Sequence, residues 1–173
     1  MAKLLSPKLF AEVCREAQAS PRKRRNHNFH RHEEAVQRLL NALQPGTYIP
    51  PHKHEGSDKF EMFVVLQGEV GCFLFDETGG ITKSARLGTN GEAMGIEIPG
   101  ETYHTLVCLA PDTVILEIKE GPYTPQTAKV ALPGFPDELD VLQGGEAAKK
   151  AQEHIRFWEE LARNDRHPDS HRV

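Results

Sequence analysis

Gly46-Thr-Tyr-Ile-Pro-Pro-His52-Lys-His54-Glu-Gly-Ser-Asp-Lys-Phe-Glu61-Met-Phe-Val-Val-Leu-Gln-Gly68 is the stretch on which the reading of this chain turns. His52 and His54 stand two apart on an extended segment, so their imidazoles leave the same face of a strand. Two imidazoles on one face can bind one ion. Glu61 opens the next apolar run, and its alternation partners Phe63 and Val65 place the carboxylate on a face that is otherwise buried. A buried charge needs a counter-ion, and a metal supplies one.

A fourth candidate ligand, His104, lies just past the Pro99-Gly100 turn at the start of another apolar strand. All four candidates sit at strand ends, and in a small barrel the ends of different strands converge at the mouth.

Working outward, Arg38 to Glu120 is a series of short apolar or alternating runs separated by Gly, Pro, Asn and Asp, the pattern of an antiparallel β-domain. The predicted strands are Arg38–Leu43, Thr47–Pro51, Phe60–Gln67, Glu69–Phe75, Ile81–Leu87, Ala93–Ile98, Tyr103–Leu109 and Thr113–Glu120, with a hairpin turn at Asp76–Gly80. Eight such strands imply a sandwich, jelly roll or small barrel. Ser6-Pro7 reads as an N-cap and first helical residue for a helix to about Gln18. The polar stretch from Ser20 to His32 reads as loop. After an irregular segment through Pro136, a second helix is predicted from about Glu146 to Arg163. Its stripe of Ala147, Ala151, Ile155, Trp158 and Ala162 should pack on the barrel or on a second subunit. The tail 164–173 carries no periodicity. The expected organisation is one domain: an N-terminal helix and polar loop (1–34), the barrel (35–125), and an irregular segment with helix and tail (126–173).

The spacing of Gly46, His52, His54, Glu61 and Gly68 resembles the first motif of the cupins, with six residues rather than three or four between His54 and Glu61. Pro99 and His104 resemble the second motif, although Gly100 and Cys108 stand where that motif's Gly and Asn differ in position or identity. More narrowly, the Gln37–Tyr48, Gly95–Pro99 and Lys119–Tyr123 segments are similar to the WbuC-type cupin-fold metalloproteins. The resemblance implies a mainly β cupin fold, a barrel or jelly roll of about eight antiparallel strands. It also implies a metal held by His52, His54, Glu61 and His104, and a homodimer. It points to bacterial O-antigen and surface-polysaccharide gene clusters, hence to a sugar or nucleotide-sugar ligand. Arg38, Asn41 and Tyr123 lie in the matching segments and are candidates for lining the pocket.

Several rivals stay open at this stage. The longer gap lets Glu55 or Asp58 compete with Glu61. Lys59 shares the face of Glu61 and faces either an anionic ligand or a rim salt bridge. Glu97 points either into the barrel or into solvent. Cys108 reads as a small buried hydrophobe. A second His-x-His, His30 and His32 with Glu33 and Glu34, lacks strand texture and reads as a surface loop. His167 and His171 read as an accidental pairing in the tail.

Three imidazoles and a carboxylate suit Fe(II), Mn(II), Ni(II), Co(II) or Zn(II), and leave coordination positions open for a substrate. Two functions follow: a metal-dependent enzyme of isomerase or oxygenase type acting on a small polar metabolite, or a non-catalytic module in which the metal anchors a ligand. A formal net charge of -4 gives no pull toward nucleic acid or an anionic membrane, and the Arg22–Arg25 cluster reads as a solvated loop. No phosphate loop, dinucleotide fingerprint or Ser-His-Asp order is present. Three widely separated cysteines suggest a reducing compartment. Pro7, Lys8 and Glu12 interrupt the opening residues before an apolar stretch can form, so the expectation is a soluble cytoplasmic protein.

Overall fold

The computed structural model describes residues 2–56, 59–89, 93–122 and 129–164. Among the described residues, ten strands form two five-stranded antiparallel sheets. The strands are β1 (Arg24–Asn28), β2 (Val36–Leu43), β3 (His52–Lys53), β4 (Glu61–Gln67), β5 (Glu69–Phe75), β6 (Ile81–Gly88), β7 (Gly95–Ile98), β8 (Tyr103–Cys108), β9 (Thr113–Glu120) and β10 (Val130–Ala131). One sheet has the order β1-β2-β9-β4-β7 and the other β10-β3-β8-β5-β6. From β2 to β10 every connection but the β5–β6 hairpin crosses from one sheet to the other, which is the winding of a jelly roll. The predicted mainly β barrel or jelly roll with a helix at each end is therefore what the chain forms.

The barrel interior is an apolar cluster that includes Leu43, Phe63, Val65, Val70, Cys72, Leu87, Leu106 and Ile115. Each sheet's outer face is closed by one helix. Helix α1 (Pro7–Ala19) is capped by Ser6, whose hydroxyl accepts from the Leu9 amide, and it buries Val13, Cys14 and Ala17 against Leu40, Ala42 and Val114. Helix α3 (Gly145–Asn164) follows the short α2 (Glu138–Gln143) and lays Ala151, Ile155, Trp158 and Ala162 on Phe73, Phe75 and Val107 of the opposite sheet. The apolar stripe thus meets its own barrel. All three cysteines are buried and free. No described helix is long and apolar enough to cross a membrane.

Four local expectations are corrected. The stretch read as loop contains β1, which pairs with β2 from Arg24↔Leu43 to Asn28↔Leu39. Its polar residues are tolerated because it is a sheet edge, where one side and part of one face meet water. The basic cluster is not uniformly solvated either: Arg24 is buried, donates to the Tyr48 carbonyl at 2.7 Å and pairs with Glu138. Thr47–Pro51 is no strand, since Pro50 and Pro51 cannot donate to a ladder, and pairing starts only at His52. The segment read as irregular through Pro136 holds the two-residue strand β10, and the unassigned stretch after it holds α2, capped by Asp137.

Two glycines decide how the loops meet. Gly68 turns β4 into β5 with φ of 79°, and a side chain there would collide with Thr113. At Gly100 a Cβ would run into the Gly56 carbonyl, so this position must be bare for the Pro99–Glu101 turn to lie against the loop after His54.

Candidate metal centre

His52 and His104 are brought together by strand register. They are direct cross-strand partners on β3 and β8, with ring centroids 4.7 Å apart. His54 follows β3 and is fixed through its carbonyl, which accepts from the Glu101 amide at 3.0 Å. Glu101 also accepts from the Gly56 amide at 2.6 Å and from Lys53 at 2.9 Å, so the loop of His54 and the turn before His104 are tied into one unit. Glu61 comes from the facing sheet, at the first position of β4.

One ligand atom from each of these four residues lies within 4.8 Å of the others, and His52, Glu61 and His104 are all buried. Glu61 Oε2 is 2.8 Å from His104 Nε2 and 3.2 Å from His54 Nε2. Of the rivals to Glu61, Glu55 is exposed and Asp58 lies outside the described residues.

The ring orientations suit imidazole ligands. His104 Nδ1 is 2.9 Å from the Thr102 carbonyl, and His52 Nδ1 is 2.9 Å from the Pro50 carbonyl. A carbonyl only accepts, so each Nδ1 carries a proton and Nε2 is the nitrogen left for the site. Carbonyls that accept from the far nitrogen of the ring orient metal-bound imidazoles. For His104 that nitrogen lies 2.8 Å from Glu61 Oε2, a contact that a ring proton donated to the carboxylate, or a metal ion shared by the two atoms, can fill. At His52 burial, with the charges of Lys129 and His104 added, pushes the imidazole well below its ordinary value, so this ring stays neutral, as a ligand must. These four residues could hold one divalent ion.

The carboxylate end of the site is more elaborate than the sequence reading anticipated. Lys119 is the cross-strand partner of Glu61 on β9, and its ammonium donates to Glu61 Oε1 at 3.0 Å and to Glu117 Oε1 at 2.5 Å. Burial disfavours the charge on Glu61, but Lys119 and the bonds to His104 and His54 outweigh it and hold the carboxyl well below the usual range. Glu117 is pushed the other way by its burial and by the Glu61 charge, against the pull of Lys119. On the neighbouring β2, buried Asn41 shares the inward face of Leu43, and its Oδ1 has no hydrogen-bond partner among the described residues.

The other sequence candidates fall elsewhere. Arg38 is on the opposite face of β2 from Asn41, paired with Glu34 at 2.5 Å outside the barrel. Lys59 is half-buried and donates to the Gly121 carbonyl at 3.1 Å, bracing the loop before β4. Glu97 is exposed on β7, alternating outward from the inward-facing Ile96 and Ile98. Tyr123 lies outside the described residues, as do His167 and His171. Cys108 is in the interior apolar cluster, and burial raises its thiol to about 11. Lys119 and Glu117 were missed because β9 alternates apolar residues on both faces, Ile115 inward and Val114 outward, so sequence alone does not say which face looks into the barrel.

Among known proteins, the family model described as "Domain of unknown function (DUF6016)" matches residues 5–87. No curated protein matches the chain. Solved structures with a similar arrangement include KdgF from Halomonas sp. (17% identity, TM-score 0.47, covering 60% of this chain and 83% of that one). A cupin superfamily protein from Desulfitobacterium hafniense DCB-2 is similar at 15% identity and TM-score 0.45, over 56% of this chain and 76% of its own. Oxalate decarboxylase from Bacillus subtilis is similar at 16% identity and TM-score 0.46, and the alignment takes in 73% of this chain but only 31% of that one.

Proposed function

We propose that the chain is a divalent-metal-dependent enzyme, of isomerase or oxygenase type, acting on a small polar metabolite. The ion would be held by His52, His54, Glu61 and His104. The observation that carries this reading is the cluster of ligand atoms from these four residues within 4.8 Å of one another, with Nδ1 of His52 and His104 committed to backbone carbonyls. An ion bound there would supply Lewis-acid or oxygen-binding chemistry.

What favours an enzyme over a module that merely anchors a ligand is the second carboxyl. Glu117 is buried, is not among the four ligands, and is one ammonium away from Glu61, where burial keeps its proton more firmly held than usual. Such a group can hold or pass a proton at Oε1 or Oε2 beside the reacting centre. The narrower substrate class, a sugar or nucleotide-sugar of surface-polysaccharide synthesis, is taken from the WbuC-type resemblance of the Gln37–Tyr48, Gly95–Pro99 and Lys119–Tyr123 segments. Homodimer assembly and a cytoplasmic location belong to the same proposal.

Turnover separates the two functions. Metal-loaded and chelator-stripped protein would each be incubated with pooled nucleotide-sugars and related metabolites under air and without oxygen, and the products followed by mass spectrometry. Conversion that needs the metal supports the enzyme. A ligand that raises the melting temperature without ever being converted would leave the binding module in its place.

A further inference from the structure

We infer that Lys119 is a positioning residue of the metal centre, which clamps Glu61 by Oε1 so that Oε2 alone is offered to the ion. The inference rests on the metal reading above and adds a residue to it. A free carboxylate can place one or both of its oxygens on a cation. Here the choice is made before any ion arrives. Strand register sets Glu61 opposite Lys119, the ammonium engages Oε1 at 3.0 Å, and Oε2 is left facing His54 at 3.2 Å and His104 at 2.8 Å.

A lysine beside a cation site would ordinarily repel the ion. Glu117 weakens that objection: it accepts from the same ammonium at 2.5 Å, so the lysine is held between two buried carboxyl groups rather than turned toward the ion. The side chains of Glu61, Lys119 and Glu117 are 3%, 19% and 8% exposed, so solvent does little to screen the clamp or to replace it. Limiting Glu61 to one oxygen also leaves a coordination position to an incoming substrate.

The test compares wild type with Lys119→Met and with the double variant Lys119→Met/Glu117→Gln, which removes the ammonium and its second carboxyl partner together and guards against a folding failure of the single change. Metal content is measured first. Co(II) is then loaded, its electronic spectrum recorded, and its affinity measured by competition with a chelator. In wild type, X-ray absorption should show a single Glu61 oxygen on the metal. In the variants, the clamp predicts a changed Co(II) spectrum, an affinity about 10–100-fold lower, or both, as for other outer-shell partners. Two Glu61 oxygens on the wild-type metal would overturn the inference. So would variants with unchanged spectrum and affinity, or with unchanged spectrum and higher affinity, in which Lys119 merely repels the ion. Wild type that takes no metal would instead remove the metal reading itself, and the clamp with it.

Discussion

The chain contains His-x-His twice, and the two copies behave differently. His52 opens a strand whose register places His104 opposite, His54 follows that strand, and the barrel places Glu61 across from them. His30 and His32 follow the edge strand β1, and there the His30 Nδ1 lies 2.8 Å from both the amide nitrogen and the carbonyl oxygen of Arg38. That ring nitrogen serves the backbone of the bend. Nearby Glu34 is engaged with Arg38, and Glu33 with Arg31 at 3.1 Å. The same dipeptide spacing therefore makes a candidate metal site only where a second sheet supplies the remaining ligands.

The comparison can be broken at several points. His52→Ala or His104→Ala should have the largest effect, lowering metal affinity by more than the roughly 100-fold that loss of an outer-shell partner can cost. Metal per chain and chelator competition would check this. Next comes Glu61→Gln, which leaves three imidazoles but no charge. It should lower affinity by at least about 10-fold on the same scale, and it should destabilise the fold because Lys119 keeps only Glu117. A Glu61→Gln protein that binds metal as tightly as wild type would move the carboxylate ligand elsewhere.

By contrast, His30→Ala should leave metal content unchanged and cost about 1 kcal/mol for the lost hydrogen bond to the bend. In a chain of this length that lowers the melting temperature by about 2–4 °C. Loss of metal in this variant would erase the distinction between the two motifs. The smallest effect is expected from Glu55→Gln, within about 0.5 kcal/mol in stability and with no change in metal, since Glu55 is exposed.

The fold and the four clustered residues were legible because they depend on period-two alternation and on turn residues, which a single sequence displays directly. Glu61 could be placed on a buried face from Phe63 and Val65 alone. β1 was not legible, because an edge strand of Arg, Asn and His has no apolar face to advertise, and its Arg24 is buried only through Tyr48 and Glu138, far away in sequence. Nor could Lys119 and Glu117 be assigned to the site, since both faces of β9 are apolar and only the register with β4 says which one looks inward. Glu97 and Arg38 show the same ambiguity resolved outward.

The most direct test of the central claim is the amount of divalent metal per chain in purified, untagged wild-type protein after anaerobic reconstitution and desalting. Close to one equivalent of a single divalent ion per chain is the predicted result. Protein that remains metal-free after reconstitution with iron, manganese, nickel, cobalt and zinc in turn would contradict it.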